Sequence, residues 1–223
     1  MKSIFSHDSK LMSILDTFAN TMILNVLFVL CCLPVVTIGA ALTALFAACR
    51  AQTRGLPCFR AFFKAFKSNF LKATGLWVLF AALIYLCAGA AINLYIMDGS
   101  LVVFIMSIVA GVLLLNLLTN CLLFYSRFEC SFRQLLQNGV IMTLSYPIRS
   151  LLITVLMWLP VVFALVPALL YTFFQLAMIW FMLYFGTAAA VCVWFMKRPF
   201  ARLAEKLLGI VETDPVDEPA HGQ

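Results

Sequence analysis

The sequence predicts an all-α, polytopic transmembrane helix bundle, and three observations predict it. The chain is 65% hydrophobic and only 11% charged over 223 residues, with a mean hydropathy of +1.06. Soluble domains carry about 45–50% apolar and about 25% charged residues, so lipid must solvate much of this surface. The apolar stretches are long and unbroken, whereas a membrane barrel would alternate polar and apolar residues in segments of about ten. Finally, most of the basic residues flank these stretches, which points to a membrane surface and away from nucleic acid.

The first uncharged stretch runs from Thr17 to Cys49, too long for one span of about 20 residues and short for two. It far exceeds a signal-peptide core, so it reads as mature membrane structure. Pro34 breaks it, Thr37 stands at an N-cap position, and Gly39 adds flexibility. A helix ending near Leu33, a turn over 34–37 and a shorter helix to Arg50 follow. Crossing once or twice stays open, and with it the side of the N-terminus. The expectation is five long spans, or five plus a short re-entrant or hairpin helix.

From Arg50 to Lys72 there are six cations and no acid. Phe59, Phe62, Phe63, Phe66 and Phe70 recur at helical spacing, and Arg60, Lys64 and Lys67 share another face. Aromatic on one side and cationic on the other describes a helix lying in the membrane interface, or a docking surface for a partner. Ala73–Met97 and Leu101–Ser126 are the next spans, antiparallel across the turn Asp98-Gly99-Ser100. A second amphipathic connector runs from Arg127 to Arg149, with Glu129 and Arg133 four apart, Phe128, Phe132, Leu135 and Leu136 as its apolar side and Pro147 ending the element. Two further spans are expected near 150–168 and 171–196, turning at Pro160 or Pro167 and closed by Lys197-Arg198-Pro199, before a short helix over 200–208. Residues 1–208 thus read as one transmembrane domain. The tail 209–223, with four acids and no Lys or Arg, reads as disordered and cytoplasmic.

Basic connectors gather on the cytoplasmic side, which puts the C-terminus inside the cell. Trp77, Trp158, Trp180 and Trp194 read as interface anchors. LPVV occurs at 33–36 and again at 159–162, without alignable flanks.

Catalytic chemistry is not expected. The two histidines, His7 and His221, lie in the terminal segments, and no nucleophile–base or metal-binding spacing occurs. Cys31, Cys32, Cys49, Cys58, Cys87, Cys121, Cys130 and Cys192 include no C-x-x-C pair and read as buried small hydrophobes. No metal or cofactor is therefore expected. Among intramembrane polar residues, Asn20, Asn25 and Gln175 stand apart in sequence, and Asn116 and Asn120 share a helix face. Asn93, Asn116 and Asn120 are either structural hydrogen-bonders or the lining of a polar pathway.

The Asn25 helix, the string Leu33-Pro34-Val35-Val36-Thr37-Ile38-Gly39-Ala40 and the basic Phe59–Phe70 helix with Asn69 together resemble the YesL-like family of bacterial membrane proteins. The resemblance covers residues 10–208. That family is a domain of unknown function with no established active site, so no site residue carries over. Its members look like neighbours of carbohydrate ABC-transporter and polysaccharide-degradation genes. The resemblance implies a non-enzymatic accessory or regulator of carbohydrate uptake, with ABC-transporter subunits and anionic lipid headgroups as partners. The alternative is a small transporter or channel in its own right, in homo-oligomeric form.

Overall fold

The computed structural model describes residues 4–98, 101–128 and 130–208. They form helices without strands, six of them long and apolar enough to cross a membrane. The tail from 209, the turn residues Gly99 and Ser100, and Glu129 of the expected Glu129–Arg133 pair lie outside the described residues.

Helix α1 (Ile4–Cys32) ends at the Pro34 turn, which is a short 3-10 turn over Val35–Thr37, and α2 (Ile38–Thr53) follows. The two form an antiparallel hairpin, not one kinked helix. Gln52 Nε2, near the end of α2, donates to Thr17 O at 2.9 Å and to Thr21 Oγ1 at 3.2 Å. Thr37 does occupy the N-cap position of α2 but makes no side-chain cap bond. Its hydroxyl donates to Cys31 O (2.5 Å), a carbonyl in the last turn of α1, and to Pro34 O (2.7 Å), which also accepts from Thr37 N at 2.9 Å. Gly39 is required for closeness, not for flexibility: a Cβ there would run into the Ala73 carbonyl and Trp77 Cβ.

Helix α2 is the centre of the bundle. Every residue from Gly39 to Ala51 is buried, and most are Ala, Gly, Thr or Cys. Small side chains let neighbouring backbones approach, which is how helices associate where apolar burial alone gives little drive. Its largest neighbour is α3 (Cys58–Asp98), joined to it by four residues that include Gly55 at φ 72°.

Helix α3 overturns one expectation. The basic connector and the span Ala73–Met97 are a single helix of 41 residues, about 60 Å long at 1.5 Å per residue. Nothing between Lys72 and Ala73 breaks a helix; only the hydropathy changes there. Cys58, Phe62, Asn69, Ala73, Leu76, Trp77 and Phe80 form its buried stripe. The first half therefore lies along α2 and is held there by that stripe, rather than resting on the surface as a separate helix.

Helix α4 (Leu101–Tyr125) packs back along α3, with Lys72 Nζ 6.0 Å from the Tyr125 ring centre. Its first half is mostly exposed, and all but one residue from Asn116 onward is buried. Helix α5 (Phe132–Ser145) opens on a Ser131–Gln134 capping box and folds against α4, where Gly139 faces Cys121. Leu135 is buried and Leu136 partly so, while Phe132 is exposed. Pro147 then occupies the first turn of α6 (Pro147–Leu165).

Pro160 sits inside α6, so the reversal belongs to Val166-Pro167. A short α7 (Pro167–Gln175) and one turn, α8 (Ala177–Ile179), lead into a π-helical segment over Trp180–Tyr184. Helix α9 (Phe185–Leu208) continues from it. Lys197-Arg198-Pro199 does not close this helix, contrary to expectation. Pro199 is buried inside it, and Phe200 beyond it packs on Phe124 and Phe128 at ring distances of 6.1 and 6.3 Å. That packing holds the backbone across the missing N–H.

The tryptophans differ in how far protein covers them. Trp77 and Trp158 stack at 5.6 Å with planes 6° apart, and Trp180 is buried. Trp77 Nε1 bonds Val35 O at 2.8 Å, tying the 3-10 turn to α3. Trp194, by contrast, is 70% exposed.

Candidate functional site

Three features hold the polar side chains of the bundle. The first is the outward face of α3. Phe59, Phe62, Phe63, Phe66 and Phe70 form a ladder of rings, with successive contacts of 4.9, 5.6, 6.2 and 5.5 Å. Phe62 is the buried rung, pressed into the core, and Phe66 is half-buried. Phe59, Phe63 and Phe70 are exposed, as are Arg60, Lys64 and Lys67 beside them. The predicted aromatic side therefore faces both ways, because five phenylalanines over twelve residues cover more arc than α2 can bury.

The second is a polar knot between α4 and α6. Asn116 Oδ1 accepts from Ser150 Oγ (2.6 Å), Thr154 Oγ1 (2.9 Å) and Asn120 Nδ2 (2.9 Å). Asn120 Nδ2 also reaches Asn116 O at 2.8 Å and Ser150 Oγ. All four residues are buried. Nearby, Trp158 Nε1 donates to Thr119 Oγ1 at 2.9 Å. Asn93 is not part of this knot: it is exposed on α3 and bonds back to Gly89 O at 2.8 Å. The three asparagines thus do not line one path.

The third is a cationic cleft where α2, α4 and α9 meet. It measures about 150 Å³ and is lined by Arg50, Thr53, Arg54, Leu123, Arg127, Val193, Trp194, Lys197 and Phe200. Arg50 and Arg127 are only 9% and 6% exposed. Arg50 donates from Nη2 to Ser126 O, and the Arg127 guanidinium lies 5.5 and 5.3 Å from the Phe128 and Phe200 ring centres. Arg54 and Lys197 are exposed at the rim. The sequence puts Arg50 and Arg54 in one basic segment and Arg127 and Lys197 in two others. The one available signal was that Arg50 and Arg127 are the first cations after long uncharged runs.

Outside the spans, burial pushes the Cys130 thiol up, and the Lys72 ammonium partly offsets this. Such a thiol is a weak nucleophile near neutral pH.

The fold and these surfaces define an all-helical, multi-pass membrane protein. A family model described as "Protein of unknown function, DUF624" matches residues 21–89. The match runs from the second half of α1 through the Pro34 turn and α2 into most of α3, and so includes the Phe ladder. No curated protein and no solved structure matches the chain.

Proposed function

We propose that this chain is a non-enzymatic accessory or regulatory protein of carbohydrate uptake in the bacterial cytoplasmic membrane. In this reading it docks on subunits of an ABC-type transporter through α3. The observation that carries the docking is the exposed rim of Phe59, Phe63 and Phe70 beside Arg60, Lys64 and Lys67, on a helix half whose other side is locked on α2. Phenylalanine and arginine are enriched in protein interfaces, and a rigid support lowers the ordering cost of binding. The carbohydrate assignment and the YesL-like family rest on the sequence resemblance.

The side of the membrane follows from charge. At about 60 Å, α3 is twice the ~30 Å hydrocarbon thickness, and its four cations all lie within Arg60–Lys72. That half belongs at the cytoplasmic surface, with the C-terminus on the same side and anionic headgroups as neighbours. In the alternative of a transporter in its own right, Asn116 Oδ1 and Asn120 Nδ2 are already engaged with each other and with α6, while Asn120 Oδ1 is buried without a hydrogen-bond partner.

The test is purification of the full chain from its native membranes in mild detergent, with identification of what comes with it. Transporter subunits are expected, and they should be lost when Arg60, Lys64 and Lys67 are all changed to Gln. Equal recovery with the triple variant, or none from either protein, contradicts the reading.

A further inference from the structure

We infer that the first half of α3 takes a single amphipathic helix of a partner protein, one whose apolar stripe is bordered by carboxylates. Phe59, Phe63, Phe66 and Phe70 follow one another at steps of four, three and four residues. That is the average spacing of about 3.5 at which one helix seats its side chains against another. Arg60, Lys64 and Lys67 each come one residue after a ring of this stripe, so the cations run along one edge of it. Phe62 and Asn69 each come one residue before a ring, and both are buried, so the other edge adjoins the side held by the core.

From Phe59 to Phe70 the stripe is about 17 Å long at 1.5 Å per residue, three turns of a partner helix. An extended peptide finds no edge to pair with, because the backbone groups of α3 are bonded within the helix, whereas a helix needs only side chains. The rings are already ordered: Phe59 rests on Phe63 at 4.9 Å and Phe66 on Phe70 at 5.5 Å. No Asp or Glu occurs between Arg50 and Lys72, so the edge presents one sign of charge, and carboxylates complement it. Acyl chains would need no particular spacing of the rings, which favours a helix over lipid as the occupant. This names the partner's contacting element for the docking face proposed above; it rests on that face, but not on the partner's being a transporter.

The full chain in nanodiscs of zwitterionic lipid is titrated against two fluorescent helical peptides, read by anisotropy, with empty discs as the blank. Both peptides carry leucine at steps of four and three; one has glutamate along the edge of that stripe and the other has lysine. The glutamate peptide is expected to bind about tenfold tighter than the lysine peptide, and Arg60→Gln, Lys64→Gln and Lys67→Gln together should remove that preference. Changing the same three residues to Glu should turn the preference round, a gain that a misfolded chain does not show. The inference is overturned if the two peptides bind alike, if neither binds beyond empty discs, or if the glutamine variant keeps the preference. It is also overturned if a small fraction of phosphatidylglycerol in the discs abolishes the binding, since headgroups are then the occupant. The same holds if the glutamate peptide binds only after Glu212, Asp214, Asp217 and Glu218 are changed to amides, since the acidic tail then fills the site. Peptide binding without co-purified transporter subunits leaves this inference standing and the transporter reading fallen; subunits without peptide binding do the reverse.

Discussion

Asn25 shows how one buried polar residue can set a helix irregularity. Its Nδ2 donates to Trp180 O at 3.2 Å and Phe181 O at 2.6 Å, and its Oδ1 accepts from Gly186 N at 2.8 Å. These are backbone groups of the π segment and of the start of α9, where the ordinary i→i−4 ladder is interrupted. Asn25→Leu keeps the size but removes all three bonds. We expect a loss of about 1–3 kcal/mol in thermal unfolding in detergent. A change at Asn93, whose side chain only bonds its own helix, should cost little. Glycines give a second contrast. Gly39→Ala should destabilise by about 1–3 kcal/mol through overpacking on Ala73 and Trp77. Gly89→Ala, with open space around it in α3, should be neutral or stabilise by up to about 1 kcal/mol. At Cys130, burial keeps the thiol protonated, so maleimide labelling at about pH 8 should lag an exposed thiol and catch up only at higher pH. Lys72→Gln should widen the lag, since the opposing ammonium is gone.

At the scale of elements, what could be read in advance was whatever depends on local chain chemistry. The Pro34 break, the reversal near Pro167 and the antiparallel pair around Asp98 all follow from breakers and run lengths. Two boundaries could not be read. Lys72 and Lys197 mark where hydropathy changes, but a helix needs no apolar neighbour to continue, and α3 and α9 run straight through. The tetrapeptide LPVV makes the same point: at 33–36 it turns the chain, and at 159–162 it lies inside α6. The difference lies in what surrounds it, since Thr37 and Gly39 fix the first turn by their contacts. Of the polar knot, Asn116 and Asn120 were legible from their spacing of four. Ser150 and Thr154 were not, because they come from a helix more than 30 residues away. The knot joins α4 to α6, so Asn116→Leu and Thr154→Val should couple. In a double-mutant cycle the coupling should be about 0.6–2 kcal/mol, and none is expected between Asn93→Leu and Thr154→Val.

For the whole molecule, the arrangement separates an outer apolar surface from an inner helix of small residues. Large hydrophobic side chains are exposed on α1, α3, α4, α5 and α6, while α2 is enclosed by protein. The antiparallel α1–α2 hairpin brings Thr17 beside Gln52, close to Arg50 and Arg54. The start of the apolar part of α1 therefore lies at the end of the bundle that carries the cationic cleft. An impermeant thiol reagent should accordingly reach cysteines placed at Ser9 and at Leu208 from the same side of the membrane. Labelling of the two from opposite sides would contradict the hairpin.

The central claim is that lipid is the solvent for the outer face of these helices. The direct measurement is the dispersion state of the purified chain, by light scattering, with detergent present and after its removal in plain buffer. A single species in detergent that aggregates when detergent is withdrawn is the predicted result. A monodisperse, folded chain in buffer without detergent or lipid would contradict it.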